Sequence, residues 1–136
     1  MVQIIDYVAF LYNPGDIGAE YLALLGDGYR PFGREHVVGE RYPGWLADAG
    51  FVHCQEQVVR IPIGSWPLYP AQKELGRHWR EVILSGLEGE ALAVLTRGLG
   101  WSKAEAEVLV RNLRREVATG AMGESRVGCW VCRKPS

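Results

Sequence analysis

The residues of this chain best suited to acid–base chemistry are Asp6 and His36. An unperturbed histidine has a pKa near 6.5, so its imidazole can accept or donate a proton at neutral pH. His36 stands among charged loop residues, and we take Asp6, His36 and Glu40 as candidate catalytic residues. Two alternatives stay open. In the first, His36 is a solvated loop residue whose charged neighbours form structural ion pairs. In the second, Asp6 is a structural carboxylate that accepts a hydrogen bond from a neighbouring backbone N–H.

The other candidate nucleophiles and metal ligands give weaker evidence for a functional site. His53 and Cys54 are adjacent on a predicted strand, so their side chains point to opposite faces and cannot act on each other directly. Three cysteines are an odd number and do not form a disulfide framework. The pair Cys129 and Cys132 has the spacing of zinc ligands but no second pair to complete a four-ligand site. We therefore expect no metal.

Composition limits the class of partner. The chain has 136 residues, of which 48% are hydrophobic, and we expect one domain spanning residues 1–136. Fifteen basic and sixteen acidic side chains nearly cancel, so no positive field attracts nucleic acid or an anionic membrane. No segment approaches the roughly 20 apolar residues of a spanning helix, and no signal peptide is evident. We expect a soluble, cytoplasmic protein.

The first half of the chain predicts two strands with two helices between them. β-branched and aromatic residues indicate the strands, and apolar residues at helical spacing indicate the helices. The expected elements are a strand over Val2–Phe10, a helix capped by Asp16 and ending near Gly28, a short helix ending at Gly50, and a strand over Phe51–Ile61. Pro62 ends this strand because proline has no N–H for a sheet ladder.

The second half predicts three amphipathic helices and a strand. The first helix carries Leu75 and Trp79 and ends near Gly86, and the second carries Leu92, Leu95 and Leu99. The third begins at a capping box formed by Ser102 and Glu105. We expect it to end at Gly120 and Gly123, before a strand over Val127–Cys132.

Several short stretches stand in a fixed order along the chain. They are Tyr29–Arg34, Trp45–Phe51, Pro62–Pro67, Leu75–Gly76, Leu95–Trp101 and Arg133–Pro135. Together they resemble the back half of fungal secondary-metabolite methyltransferases of the LaeA-like type, which depend on S-adenosylmethionine (SAM). The resemblance runs essentially from end to end.

The resemblance implies a truncated class I methyltransferase fold. This is an α/β fold that in isolation is α+β, and the three predicted strands correspond to the fifth, sixth and seventh of the family's sheet. The glycine-rich turn that holds the methyl donor is expected to be missing. The glycines over 26–28 and 98–100 do not replace it, because a nucleotide-binding turn must follow a strand and open a helix. We expect no cofactor and no methyl transfer by this chain alone.

The resemblance also places a substrate pocket where the first strand ends and the helices after Pro62 begin. Aromatic side chains there suit an apolar, polyketide- or terpenoid-like ligand better than a charged metabolite. The expected substrate-binding residues are Tyr7, Phe10, Tyr12, Arg34, Trp66, Tyr69 and Trp79. The alternative is plain core packing, since aromatic residues dominate protein cores.

Three functions are compatible with this chain. The first is a cofactor-independent enzyme of fungal secondary metabolism that catalyses cyclisation, isomerisation or another rearrangement in a relict methyltransferase pocket. The second is a non-catalytic pseudo-methyltransferase subunit, and the third is a fragment of a SAM-dependent methyltransferase. An opening strand without its neighbour exposes unpaired backbone groups. We therefore expect a homodimer, or a methyltransferase-like partner that covers this edge.

Overall fold

A three-stranded antiparallel sheet and four α-helices make up the computed structural model, which describes residues 1–119 and 123–136. The strands are β1 (Val2–Tyr12), β2 (Val52–Pro62) and β3 (Glu124–Arg133). The helices are α1 (Asp16–Tyr29), α2 (Tyr42–Asp48), α3 (Pro70–Ala93) and α4 (Lys103–Ala118). The expected α+β mixture with about three strands is confirmed.

The last strand in sequence is the central strand of the sheet. The strand order is β1-β3-β2, and β3 is antiparallel to both neighbours. Tyr12 and Pro62, at the ends of β1 and β2, both pair with Glu124 at the start of β3. The two outer strands therefore run in the same direction and end at the same edge of the sheet.

One long helix replaces two of the predicted helices. The expected end near Gly86 is wrong, because α3, which has 24 residues in all, continues past Gly86 to Ala93 and passes into a π-helical turn over Val94–Gly98. Its buried stripe of Ile83, Leu87 and Ala91 is not interrupted by Gly86, whose α-carbon faces open space. A glycine at such a position costs about 1 kcal/mol relative to alanine, and packing of the stripe outweighs this.

The start of α1 differs from the prediction in its capping group. Asp16 is the first helical residue and not the cap, which is Gly15 with no side-chain hydrogen bond of its own. The carboxylate of Glu116 on α4 accepts instead from the backbone N–H groups of Ile17 (3.1 Å) and Gly18 (2.6 Å). A residue almost a hundred positions away thus satisfies donors that are normally bonded locally.

Two other local predictions are confirmed, the end of α2 and the start of α4. Helix α2 ends just before Gly50, which has a φ of +85°. The capping box of Ser102 and Glu105 is formed at the start of α4. Gly120, the expected end of α4, lies outside the described residues. The final strand begins at Glu124, three residues before the predicted start at Val127.

The three cysteines form no multiple-disulfide framework, but two of them form one disulfide that the sequence analysis did not predict. Cys54 on β2 and Cys132 on β3 are bonded, with their α-carbons 4.1 Å apart, and Cys129 is a free thiol. A bulge in β2 lies at His53, whose φ is +52°, and brings Cys54 opposite its partner. The contact joins residues 78 positions apart and follows from strand pairing alone.

Candidate functional site

His36 and Glu90 form the ionisable pair at the centre of the candidate site. His36 lies in the loop after α1, and Glu90 lies near the end of α3. The His36 Nε2 atom is 3.9 Å from Glu90 Oε2, and the side chains are 15% and 31% exposed. The predicted catalytic histidine therefore has an acidic partner, although this partner is not Glu40 or any other residue of its own loop.

Two tyrosines of α1 hold the carboxylate in place. The Tyr21 hydroxyl donates to Glu90 Oε1 at 3.0 Å, and the Tyr29 hydroxyl donates to Glu90 Oε2 at 3.1 Å. Tyr21 is fully buried. Tyr29 also stacks on the His36 ring, with centroids 5.5 Å apart and an angle of 11° between the planes. These contacts fix the positions of both members of the pair.

Two cavities meet at His36. The larger is about 560 Å³ and lies between the end of β1, α1 and the loop that carries Arg34 and His36. The smaller is about 220 Å³ and lies between β1 and α3, where Tyr7, Trp79 and Glu90 line it. Phe10 and His36 line both cavities. A ligand in either cavity thus contacts the same imidazole.

Burial sets the protonation of the site. Desolvation lowers the pKa of His36 below 6.5, and the negative charge of Glu90 opposes this effect without overcoming it. The separation of 3.9 Å is longer than a hydrogen bond, and Glu90 already accepts from two hydroxyls, so its effect on the histidine is limited. Burial first, and then Glu90, raises the pKa of Tyr21, Tyr29 and Tyr7. At neutral pH the imidazole is neutral and the three phenols are protonated.

Asp6 and Glu40 lie away from the pair. Asp6 accepts from the Tyr42 hydroxyl at 2.7 Å and from the backbone N–H of Tyr7 at 2.7 Å, so its carboxylate joins β1 to α2. This bond is the main reason that the pKa of Tyr42 is raised. Asp6 faces α2, whereas Tyr7 faces the smaller cavity, as expected for neighbours on a strand. Glu40 is exposed, in a one-turn 3-10 helix over Gly39–Arg41.

Three of the predicted aromatic residues lie together. Tyr7 and Phe10 are 5.4 Å apart between ring centroids, and Tyr7 and Trp79 are 6.5 Å apart. The indole of Trp79 donates to Ser125 Oγ at 2.8 Å, and this hydroxyl donates to the Phe10 carbonyl at 2.6 Å. Ser125 thus ties α3 to the end of β1. The side-chain wall of the smaller cavity is fixed in this way.

The other three predicted aromatic residues line neither of these cavities. Tyr12 stacks under the Arg126 guanidinium, 3.4 Å from its ring centroid. Trp66 is 44% exposed and donates to the Gly123 carbonyl at 3.2 Å. Tyr69 is 72% exposed and precedes α3. Trp66 and Tyr69 lie in the exposed connector between β2 and α3, whereas Tyr12 is the last residue of β1.

Sequence reasoning missed Glu90, Tyr21 and Tyr29. One signal for Glu90 was available, because it lies seven residues after Ile83 on the apolar stripe of α3. A carboxylate at such a position is buried only if it is paired or hydrogen-bonded. The two tyrosines are eight residues apart on α1 and share a face, but nothing local marks them as partners of α3.

The described residues do not fit S-adenosylmethionine, the methyl donor that the resemblance implies. A nucleotide-binding turn presents free N–H groups at the start of a helix that follows a strand. The turn between β1 and α1 has this order, but the carboxylate of Glu116 already accepts from Ile17 and Gly18. An anionic group of a ligand would be repelled there.

Within residues 1–119 and 123–136, no three histidine, cysteine, aspartate or glutamate side chains come together as metal ligands. None of the helices in these residues combines the length and the apolar composition needed to cross a bilayer.

Comparison with known proteins identifies fungal relatives. The chain is 35% identical over 109 residues to the secondary metabolism regulator LAE1 of Cochliobolus heterostrophus, a match of 79% of this chain and 34% of that protein. It is 36% identical over 72 residues to methyltransferase pytC of Aspergillus terreus, covering 53% and 22% of the two chains. It is 30% identical over 90 residues to probable methyltransferase tdiE of Emericella nidulans, covering 66% and 27%.

The chain spans about a third or less of the length of these relatives. No protein-family profile and no solved structure matches it. The relatives agree with the resemblance carried by the stretches from Tyr29 to Pro135. The chain therefore belongs to the fungal LaeA-like methyltransferase family, over a segment equal to about a third of the length of LAE1.

Proposed function

We propose that this chain acts in fungal secondary metabolism and that His36 and Glu90 transfer a proton within an apolar intermediate, causing its isomerisation or cyclisation without a cofactor. The observation that carries this proposal is the position of His36. Its imidazole lines both cavities and lies 3.9 Å from a carboxylate held by two tyrosines. The relatives, a secondary metabolism regulator and two methyltransferases, support the metabolic setting.

The proton-transfer step starts from neutral His36. The imidazole removes a proton from a carbon beside a carbonyl, and the electron pair of the broken C–H bond becomes an enolate. The Glu90 carboxylate stabilises the imidazolium that forms. Tyr7, which lines the smaller cavity and is protonated, can donate to the enolate oxygen.

The same intermediate leads to two products. If the imidazolium returns the proton at the far end of a conjugated enolate, the double bond has moved and the reaction is an isomerisation. If the enolate carbon attacks a second carbonyl carbon, a C–C bond forms, the π bond of that carbonyl breaks, and the new alkoxide takes the proton. Both reactions conserve mass and electrons, so neither needs an oxidant or a methyl donor.

The apolar walls contribute by holding a flexible substrate in a reactive conformation. Phe10 and Trp79 have fixed positions because the Ser125 hydroxyl accepts from the Trp79 indole and donates to the Phe10 carbonyl. Orientation of this kind can lower a barrier by about 7 to 11 kcal/mol in favourable intramolecular reactions. A positioned general base adds roughly 10²- to 10⁴-fold.

The test uses a β,γ-unsaturated cyclic ketone as the probe substrate. Its conversion to the conjugated enone is followed by ultraviolet absorbance, and deuterium uptake in D₂O is followed by mass spectrometry. We expect turnover by the wild-type chain and a loss of roughly 10²-fold or more in His36→Gln. His78→Gln is the matched control, since His78 is 63% exposed and bonds to Glu74 on the outside of α3.

Two outcomes would contradict the proposal. One is equal activity of the His36→Gln variant and the wild-type chain. The other is a product heavier by one methyl group when S-adenosylmethionine is added, because such a product requires the methyl donor for which the described residues lack a fitting turn.

The sheet favours a second function, a subunit that associates through β1. Among the described residues, β1 pairs with β3 on one side and with no strand on the other. Ile5 on this strand is 64% exposed. We propose a homodimer in which two β1 edges pair across a two-fold axis. A methyltransferase-like partner chain is the alternative occupant of this edge.

Sedimentation equilibrium tests this association. We expect a wild-type dimer, and dissociation in Ile5→Lys, because a charge beside the edge disfavours strand pairing. Leu68→Lys is the control, since Leu68 is 90% exposed in the connector before α3. A monomeric wild-type chain would contradict the homodimer.

A further inference from the structure

The larger cavity has one guanidinium without a charged partner among the described residues. Besides the neutral imidazole of His36, three charged side chains line this cavity: Arg30, Arg34 and Glu35. Arg30 pairs with Asp27 at 3.2 Å, and Glu35 pairs with Arg41 at 2.7 Å. Within residues 1–119 and 123–136, Arg34 has no carboxylate within 4.0 Å and no side-chain hydrogen bond.

Arg34 is also close to the reactive groups. Its charge acts on the Tyr29 hydroxyl and lowers the pKa of that phenol, against the larger effects of burial and Glu90. Its position is fixed at the backbone, where the Arg34 N–H donates to the Tyr29 carbonyl at 3.3 Å. Tyr29 in turn stacks on His36. The Arg34 backbone and the His36 imidazole therefore both contact Tyr29.

The rest of the wall is apolar. Val8, Phe10, Leu11, Leu22 and Val37 line the cavity between the charged mouth and the sheet. A planar guanidinium presents N–H groups that match the two oxygens of a carboxylate. The cavity thus combines an apolar wall with a receptor for one anionic group.

We infer that the ligand of this cavity is an amphipathic carboxylate whose anionic end binds Arg34 and whose apolar body packs against Phe10, with its reactive carbon beside His36. This inference rests on the proposed function and narrows its substrate class. It refines the expectation of an apolar ligand by adding one negative charge at a defined place. A polyketide-type acid has this chemistry, and a fully hydrocarbon terpenoid lacks it.

The test compares 2-naphthylacetate with its uncharged primary amide, which has nearly the same shape. Binding is measured by isothermal titration calorimetry and by tryptophan fluorescence. We expect the wild-type chain to bind the carboxylate roughly 10-fold more tightly than the amide, a value typical of one charge-assisted hydrogen bond at a partly exposed site. In Arg34→Gln, carboxylate binding should weaken roughly 10-fold and amide binding should stay the same.

Arg111→Gln is the control, because Arg111 is exposed on α4 and far along the chain from the cavity residues. Equal binding of the carboxylate and the amide to the wild-type chain would overturn the inference. So would an equal loss of both ligands in Arg34→Gln, or no binding of either ligand.

The proposed function can fail separately. If Arg34 selects the carboxylate but the His36→Gln variant still isomerises the neutral ketone, the inference about the ligand stands and the proposed role of His36 does not. If ketone turnover depends on His36 but carboxylate and amide bind equally, the reverse holds.

Discussion

Replacing Glu90 by alanine should destabilise the fold, because this carboxylate is the acceptor of two hydroxyls between α1 and α3. Tyr21 is fully buried, so its hydroxyl would lose its bond to Glu90 and gain no water. An unsatisfied buried donor costs about 1 to 3 kcal/mol. The half-buried Tyr29 can turn to solvent and contributes less. With Glu90 31% exposed, we expect a loss of about 2 to 3 kcal/mol in the free energy of unfolding.

A double-mutant cycle with Tyr21→Phe separates the bond from other effects. The phenylalanine variant removes the donor and should cost about 1 kcal/mol. If the hydroxyl and carboxylate act on each other, the double variant should be more stable than the sum of the single losses by about 1 kcal/mol. Urea unfolding monitored by tryptophan fluorescence measures all four free energies.

Glu88→Ala is the matched control on the same helix. Glu88 is 59% exposed and lies 3.5 Å from Arg114, so its replacement should change stability by less than about 0.5 kcal/mol. A loss in Glu90→Ala no larger than in Glu88→Ala would refute the reasoning. Full additivity in the cycle would show that Tyr21 and Glu90 are not energetically coupled.

Three further expectations concern other parts of the fold. Burial lowers the folded-state pKa of His36 below its unfolded value of 6.5, so the unfolded chain takes up this proton at a higher pH than the folded chain. The free energy of unfolding should therefore fall as the pH drops below about 6.5. Urea titrations should show a smaller fall in His36→Gln. The disulfide of Cys54 closes a loop of 78 residues, so Cys54→Ser should lower the free energy of unfolding by about 2 to 4 kcal/mol under non-reducing conditions, whereas Cys129→Ser should have little effect. A β-carbon at Gly76 would overlap a backbone carbonyl, so Gly76→Ala should lower the melting temperature. A β-carbon at Gly86 on the same helix would meet no atom within 4 Å, so Gly86→Ala should raise the free energy of unfolding by about 0.5 to 1 kcal/mol. An unchanged melting temperature in Gly76→Ala would contradict the packing of α3 against the end of β2.

The local elements could be predicted where their signals are local. Ser102 and Glu105 satisfy each other's backbone groups within one turn, so the pattern alone located the start of α4. Gly50 ended α2 because a positive φ is easy only for glycine. Gly86 is also a glycine but does not end its helix, because the apolar stripe of α3 continues past it. Packing decided between these two meanings of glycine.

Only part of the candidate site could be predicted from the sequence. His36 could be singled out because its residue type titrates near neutral pH. Its partner could not, because the contact with Glu90 depends on how α3 packs against α1 and the loop that follows α1. The predicted substrate-binding aromatic residues likewise lie in different places in the structure. Tyr7, Phe10 and Trp79 share a cavity wall, whereas Tyr69 faces solvent.

By itself the sequence determined the family, the mixture of helices and strands, and the histidine to which the chemistry is assigned, because these follow from residue types and short spacings. The tertiary structure alone decided which distant groups meet: Glu90 with His36, Glu116 with the start of α1, and Cys54 with Cys132. The physical reason is that each of these contacts joins separate elements. Its formation depends on the burial and strand pairing of the whole chain, which no local pattern encodes.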